Sequence, residues 1–152
     1  MEQMVVFVGA DHRGWQLKSH LVDWLRQQGY EVVDLGADTL DTDDDFVDYA
    51  VAVARQVRQQ ANHRGIVICG SGVGVNIAAN KLAGIRCGLC CQVEQVRSAR
   101  QDDNINLLAL AADYLSLSQA EAMVEAFLTT PFADLPRFKR RLNKIKQLED
   151  EA

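Results

Sequence analysis

No run of twenty apolar residues occurs in this chain, so no helix is expected to span a bilayer. The amino terminus, Met1-Glu2-Gln3, lacks the charged and apolar regions of a secretory leader. Basic residues are in deficit, with 16 Lys and Arg against 21 Asp and Glu, and the net charge of -5 argues against nucleic acid or an anionic membrane as partner. Repeats, low-complexity tracts and a dividing linker are also missing. No Gly-Lys-Ser/Thr closes a Walker loop, and no calcium-loop spacing with its closing glutamate is present. Of the four cysteines, Cys69, Cys87, Cys90 and Cys91, the last three have partial zinc-like spacing but sit in an apolar strand with no histidine nearby. A cytosolic setting is expected, with all four reduced and the last three serving as buried structural thiols of an apolar strand.

What is present fits one domain over residues 1–152, because 48% hydrophobic residues suffice for one core. Met4 to Val8, Glu31 to Leu35, Ile66 to Ile68, Ile85 to Cys91 and Ile105 to Leu110 have the β-type composition of short strands. Between them lie helix patterns: one carrying Leu17, Leu21, Trp24 and Leu25 and stopping at Gly29, then about Tyr49 to Gln60, Asn76 to Lys81 and Val93 to Gln101. A helix from Ser118 to Leu128, capped by Ser118, follows the last strand and ends before Pro131. Pro136 opens a further helix, about 136–150, with Leu142, Ile145 and Leu148 on one stripe. Alternating strands and helices predict an α/β fold, a three-layer sandwich with a five-stranded parallel sheet.

The organising stretch is Gly65 to Lys81. Its β-branched run Ile66, Val67, Ile68 ends at Cys69, and Gly70, Ser71, Gly72 and Gly74 follow before the helix. Spaced glycines let backbone N-H groups approach a ligand, and a helix start favours an anion. Such turns are common and the glycines alone are a weak signal. Cys69 strengthens it, because open parallel sheets present their chemistry at the strands' carboxyl ends.

Three other groups are candidates. Asp11, His12 and Arg13 follow the first strand and offer carboxylate, imidazole and guanidinium at the same edge. The acidic run Asp41, Asp43, Asp44, Asp45 and Asp48 reads mainly as a solvated loop, with Asp45 or Asp48 capping the next helix. Arg137 and Arg141 stand at i and i+4 on the last helix, which suits either a phosphate or a generic basic face. That helix lies outside the five strand-helix units, and its apolar stripe suggests packing on a second subunit.

Asp11-His12-Arg13-Gly14, Ile68-Cys69-Gly70-Ser71-Gly72-Val73-Gly74, Ala78-Ala79-Asn80-Lys81, Gly84-Ile85-Arg86 and the arginine pair together resemble the ribose-5-phosphate isomerase B family, which includes the subunits of galactose-6-phosphate isomerase. The resemblance covers nearly the whole chain. It implies a Rossmann-like homodimer or homotetramer with sites shared between subunits, a sugar phosphate substrate, and neither metal nor nucleotide cofactor. It also implies that Cys69 moves a proton between C2 and C1 of an aldose phosphate, with Ser71 and the amides from Gly70 to Gly74 stabilising a cis-enediolate. Asp11 and His12 would contact hydroxyls, Asp45 would lie at the pocket's edge, and Arg137 and Arg141 would reach the phosphate from the neighbouring subunit. This chemistry requires the Cys69 sulfur to meet a cavity.

Several positions depart from the family pattern. Some members place a glutamate where Val75 stands, so this chain fits the cysteine type. Asp102 takes the place of a ring-opening histidine, Asp103 that of an asparagine which Asn104 could replace, and Asp113 that of a phosphate-binding arginine. Phe46, Val47 and Phe138 replace a tyrosine, a proline and a histidine. Three readings follow: a sugar-phosphate isomerase in which Arg13 or Arg100 supplies the missing cation; an isomerase of a non-cyclising or unphosphorylated sugar; or a weakly active partner subunit.

Overall fold

The computed structural model describes residues 3–152. Strands β1 (Val5–Ala10), β2 (Glu31–Asp34), β3 (Arg64–Cys69), β4 (Cys87–Leu89) and β5 (Leu107–Ala111) form one parallel sheet in the order β2-β1-β3-β5-β4. Helices α1 (Trp15–Gln27), α2 (Phe46–Val57), α3 (Val73–Ala79), α4 (Val93–Asp103) and α5 (Leu117–Thr129) cover its two faces, and α6 (Pro136–Asp150) follows. This is the expected Rossmann-like sandwich. The strands read as continuous apolar runs because helices cover the sheet on both sides.

Side chains alternate across the sheet and so divide the core in two. Ile66 and Ile68 of β3 join Val6, Val8, Leu108 and Leu110 against Leu17, Leu21 and Leu25 of α1 and Met123 and Phe127 of α5. Val67 and Cys69 face the other way, with Leu107 and Ala109, onto Ala50, Val53 and Val57 of α2 and Val75 and Ala79 of α3. Each large side chain fully buried in these layers contributes about 1.5–3 kcal/mol of transfer free energy. Helix α6 contributes little to either, since Phe138 is its one buried residue among those described.

Some boundaries differ from expectation. The cap of α5 is Ser116, not Ser118: its Oγ accepts from Gln119 N while the Gln119 side chain reaches back to Ser116 N, a reciprocal capping box. Helix α3 begins at Val73 rather than Asn76. Strand β4 is only three residues long. Nearby, Asn80 bonds both the N-H and the carbonyl of Cys87, and Asn106 Oδ1 accepts from Arg86 N, so side chains take the place of a longer ladder. Helix α2 starts at Phe46, with Asp45 in the capping position but making no side-chain cap bond. Of the three thiols expected to be buried, Cys90 is, Cys87 is partly covered and Cys91 is exposed. The strand they were read onto ends at Leu89, leaving Cys91 beyond it.

Candidate functional site

The ends of β1 and β3 meet in register, Ala10 beside Ile68, and Asp11 N then donates to Ile68 O at 3.3 Å. Asp11 turns the chain: its buried Oδ1 accepts from Arg13 N at 3.0 Å and Gly14 N at 3.2 Å. Gly14 passes so close to β3 that a Cβ there would strike Ile68. Cys69 closes β3 beside Ala111 of β5. Beyond it Gly70 O accepts from Asp113 N at 3.0 Å, and Ser71 Oγ accepts from Val73 N at 3.2 Å. Gly72 has φ +73° and lies against Leu89 and the β5 backbone, a place only glycine fills without strain. Gly74 packs under the ring of Phe46, which therefore walls the glycine loop. Val75 is fully buried, so no polar group replaces the family's glutamate at this position.

The acidic run sends one residue inward, and it is Asp44 rather than Asp45, which stays exposed. Asp44 Oδ1 contacts both His12 N at 3.2 Å and His12 Nδ1 at 2.8 Å. That hydrogen bond, above all, raises the imidazole pKa from its ordinary value, with Asp11 adding to it. Asp44 Oδ2 is buried and makes no hydrogen bond among the described residues. Tyr49 stands beside it, and burial first, then the Asp44 carboxylate, raises the phenol's pKa. Asp11, His12 and Asp44 each bring a ligand atom within 4.8 Å of the others, a spacing that a metal ion could use. Sequence patterning had no way to single out Asp44 from its acidic neighbours, because the selecting contact lies 32 residues away.

Arg13 pairs with Asp113 through Nη2 and Oδ2. Its guanidinium lies flat on Gly70, where a Cβ would collide with it. Arg100, the other cation considered for the missing arginine, is excluded from that role. It is buried and donates to Thr130 O, Asn104 Oδ1 and Ile105 O, and burial, followed by Arg64 and Arg86, pulls its pKa down to about 10.

Asp102, Asp103, Asn104, Arg137 and Arg141 are not gathered around Cys69 within the chain. Helix α4 leaves the carboxyl end of β4 and runs back, so its last turn lies at the opposite edge of the sheet, just before β5. The length of β5 separates the two places, roughly 15–20 Å at 3.3 Å per residue. Asp102 and Asp103 are exposed there. Burial first, then Asp102, raises the Asp103 pKa, while Arg141 opposes the shift and so marks its own proximity. Asn104 is the left-handed cap of α4, its Oδ1 committed to Arg100. Arg137 and Arg141 do share a face: their guanidinium carbons stand 4.7 and 5.9 Å from the centroid of the Phe138 ring.

Cys69 keeps only 5% of its surface exposed. A cavity of about 300 Å³ beside the first loop is lined by His12, Arg13, Trp15, Gln16 and Leu40 and does not include Cys69. A hollow of about 440 Å³ lies at the β4 edge, between Cys87, Leu89, Asp103 and Ile145 of α6. Among the described residues, none of these hollows is lined by Cys69, so the expected open cavity at the sulfur is not seen in the single chain.

A parallel α/β domain with a cysteine ending its central strand and a glycine loop beside it has a nucleophile-bearing site at the carboxyl edge of its sheet. Comparison with known proteins makes the class specific. The family model described as Ribose/Galactose Isomerase matches residues 6–145, and the chain belongs to that family. It is 38% identical over 146 residues to ribose-5-phosphate isomerase B of Mycolicibacterium paratuberculosis, covering 96% of this chain and 92% of that one. It is 37% identical over 147 residues to a probable ribose-5-phosphate isomerase B of Mycoplasma genitalium, covering 96% of each. The crystal structure of the Mycoplasma genitalium enzyme with bound ribulose 5-phosphate superposes with a TM-score of 0.95 at 36% identity over all of both chains. The chain is accordingly an aldose-ketose isomerase acting on a phosphorylated sugar. No helix among its described residues is long and apolar enough to cross a membrane.

Proposed function

We propose that the chain interconverts ribose 5-phosphate and ribulose 5-phosphate, with Cys69 as the base. The thiolate takes the C2 proton of the open-chain aldose, the C1 carbonyl becomes an enediolate oxygen, and the thiol returns the proton to C1 as a carbonyl forms at C2. The hydroxyl proton passes between O2 and O1. Ser71 and the amides of Gly70, Gly72 and Gly74 stabilise the oxygens where charge develops, as fixed donors do in other acyl and enol reactions. Asp11 and His12 orient hydroxyls, and Asp45 lines the approach. The observation that carries this reading is the seat of Cys69, last residue of the central strand and first neighbour of the glycine loop.

The remaining residues come from a second copy in this proposal. Arg137 and Arg141 bind the phosphate from the partner, Asp102 takes the proton-handling place of the ring-opening histidine, and Asp103 and Asn104 border the enediolate. The position of these five at the far edge of their own sheet supports it. The apolar hollow beside β4, with Ile145 and Leu148 of α6 exposed next to it, supports a homodimer or pair of dimers. A reducing cytosolic setting belongs to the same reading, since all four cysteines are free.

Exchange of the C2 hydrogen of ribose 5-phosphate with deuterated solvent tests it. Cys69→Ala is expected to slow exchange about 10²–10⁴-fold, the usual worth of a positioned general base. Exchange at the wild-type rate in that variant would remove the thiol from the mechanism.

A further inference from the structure

The five loops that follow the strands, where the sheet presents its chemistry, contain one Lys or Arg between them, and it is Arg13. The loop after β2 alone carries Asp38, Asp41, Asp43, Asp44 and Asp45. A sugar phosphate approaching such an edge meets repulsion, and Arg13 is the one cation these loops supply against it. Arg13 is placed for that work. Its side chain is 54% exposed, only Nη2 is engaged, and Nε and Nη1 make no other hydrogen bond among the described residues.

We propose that Asp113 is a positioning residue that holds the Arg13 guanidinium across Gly70, and that Arg13 so held is the cation which this edge of the sheet itself adds to phosphate recognition, beside Arg137 and Arg141 of the second copy. This deepens the isomerase reading and rests on it. Asp113 is itself fixed, because its N-H donates to Gly70 O on the loop that Arg13 covers. The bare Cα of Gly70 gives the guanidinium its flat seat; any larger residue would push it off. Half-exposed ion pairs add little to stability, so the pair's consequence is orientation. A planar fork held in one plane suits the oxygens of a phosphate.

The test measures KM and kcat for ribose 5-phosphate and for unphosphorylated ribose, and titrates inorganic phosphate as a binding probe. Arg13→Ala is expected to raise KM for the phosphorylated sugar about tenfold or more while kcat changes little, as loss of a charge-assisted bond predicts. Asp113→Ala is expected to reproduce part of that rise, about threefold to tenfold. Asp113→Asn, which still offers an oxygen to Nη2, should stay near wild type. An unchanged KM in Asp113→Ala, an equal shift for both sugars, or an Asn variant as impaired as the Ala variant would overturn the positioning role. Phosphate titration separates this inference from the isomerase reading. Weakened phosphate binding in Arg13→Ala supports the inference even in a protein that turns over no sugar. Unchanged binding overturns it even in an active enzyme.

Discussion

At the carboxyl edge of the sheet several turns are braced: Asp11 holds its own loop, Asp113 N holds Gly70, and Asp44 holds His12. The corner where α4 meets α6 is different. Its arginines stand exposed around one aromatic ring, and α6 buries only Phe138. The edge is acidic and its loops are tied down within one chain, while the corner is basic and leaves an apolar stripe uncovered. Opposite charge on the two surfaces is what the proposed pairing of edge and corner across a second copy requires.

The largest expected effect tests that pairing directly. Cys69→Ala and Arg141→Ala proteins, each nearly inactive alone, should regain activity when unfolded together and reassembled, to about a quarter of wild type for random pairing in a twofold dimer. No recovery would mean that edge and corner belong to separate jobs.

Rigidity of the edge comes next. Gly72→Ala meets a φ of +73° and the Leu89 side chain, and should lower unfolding free energy by about 2–3 kcal/mol in a denaturant titration. Gly29→Ala has φ +90° but open space around it, so about 1 kcal/mol is expected. Equal losses at the two glycines would show that the loop is not packed as described.

The His12 imidazole gives a smaller, signed effect. Its folded pKa is raised, so the stability it contributes is present below the unfolded value near 6.5 and disappears as pH rises through the folded value. Asp44→Asn should therefore destabilise the protein more at pH 5 than at pH 8, and NMR titration should show the His12 pKa falling. A pH-independent loss would mean that Asp44 acts only on the His12 backbone N-H.

The smallest effect belongs to the corner. Leu148 is 63% exposed, and Leu148→Lys should change unfolding free energy by less than about 0.5 kcal/mol where the chain is a monomer. A loss of several kcal/mol by chemical denaturation would make α6 part of the chain's own core and weaken the contrast.

Much of the edge was legible before any coordinates. Ile66 to Cys69, the glycines after it and Asp11 to Arg13 are each local patterns, and β-branched composition and loop chemistry are properties of neighbours in sequence. The arginine pair at i and i+4 was legible for the same reason. Ser116 and Ser118 both satisfy the capping rule in sequence, and only the Gln119 partner distinguishes them. Asp44 was hidden among equivalent aspartates. Arg13 had a suspected role, but its partner Asp113 is 100 residues distant.

The sequence alone determined the order of strands and helices, the apolar sheet and the placing of a thiol before a glycine loop, because periodicity and turn chemistry act over a few residues. Tertiary structure decided which carboxylate meets His12, which one holds Arg13, and that Asp102 to Asn104 lie a strand's length from Cys69 in their own chain. Those outcomes depend on how helices return across the sheet and which charges are buried beside one another, and neither leaves a period in the sequence.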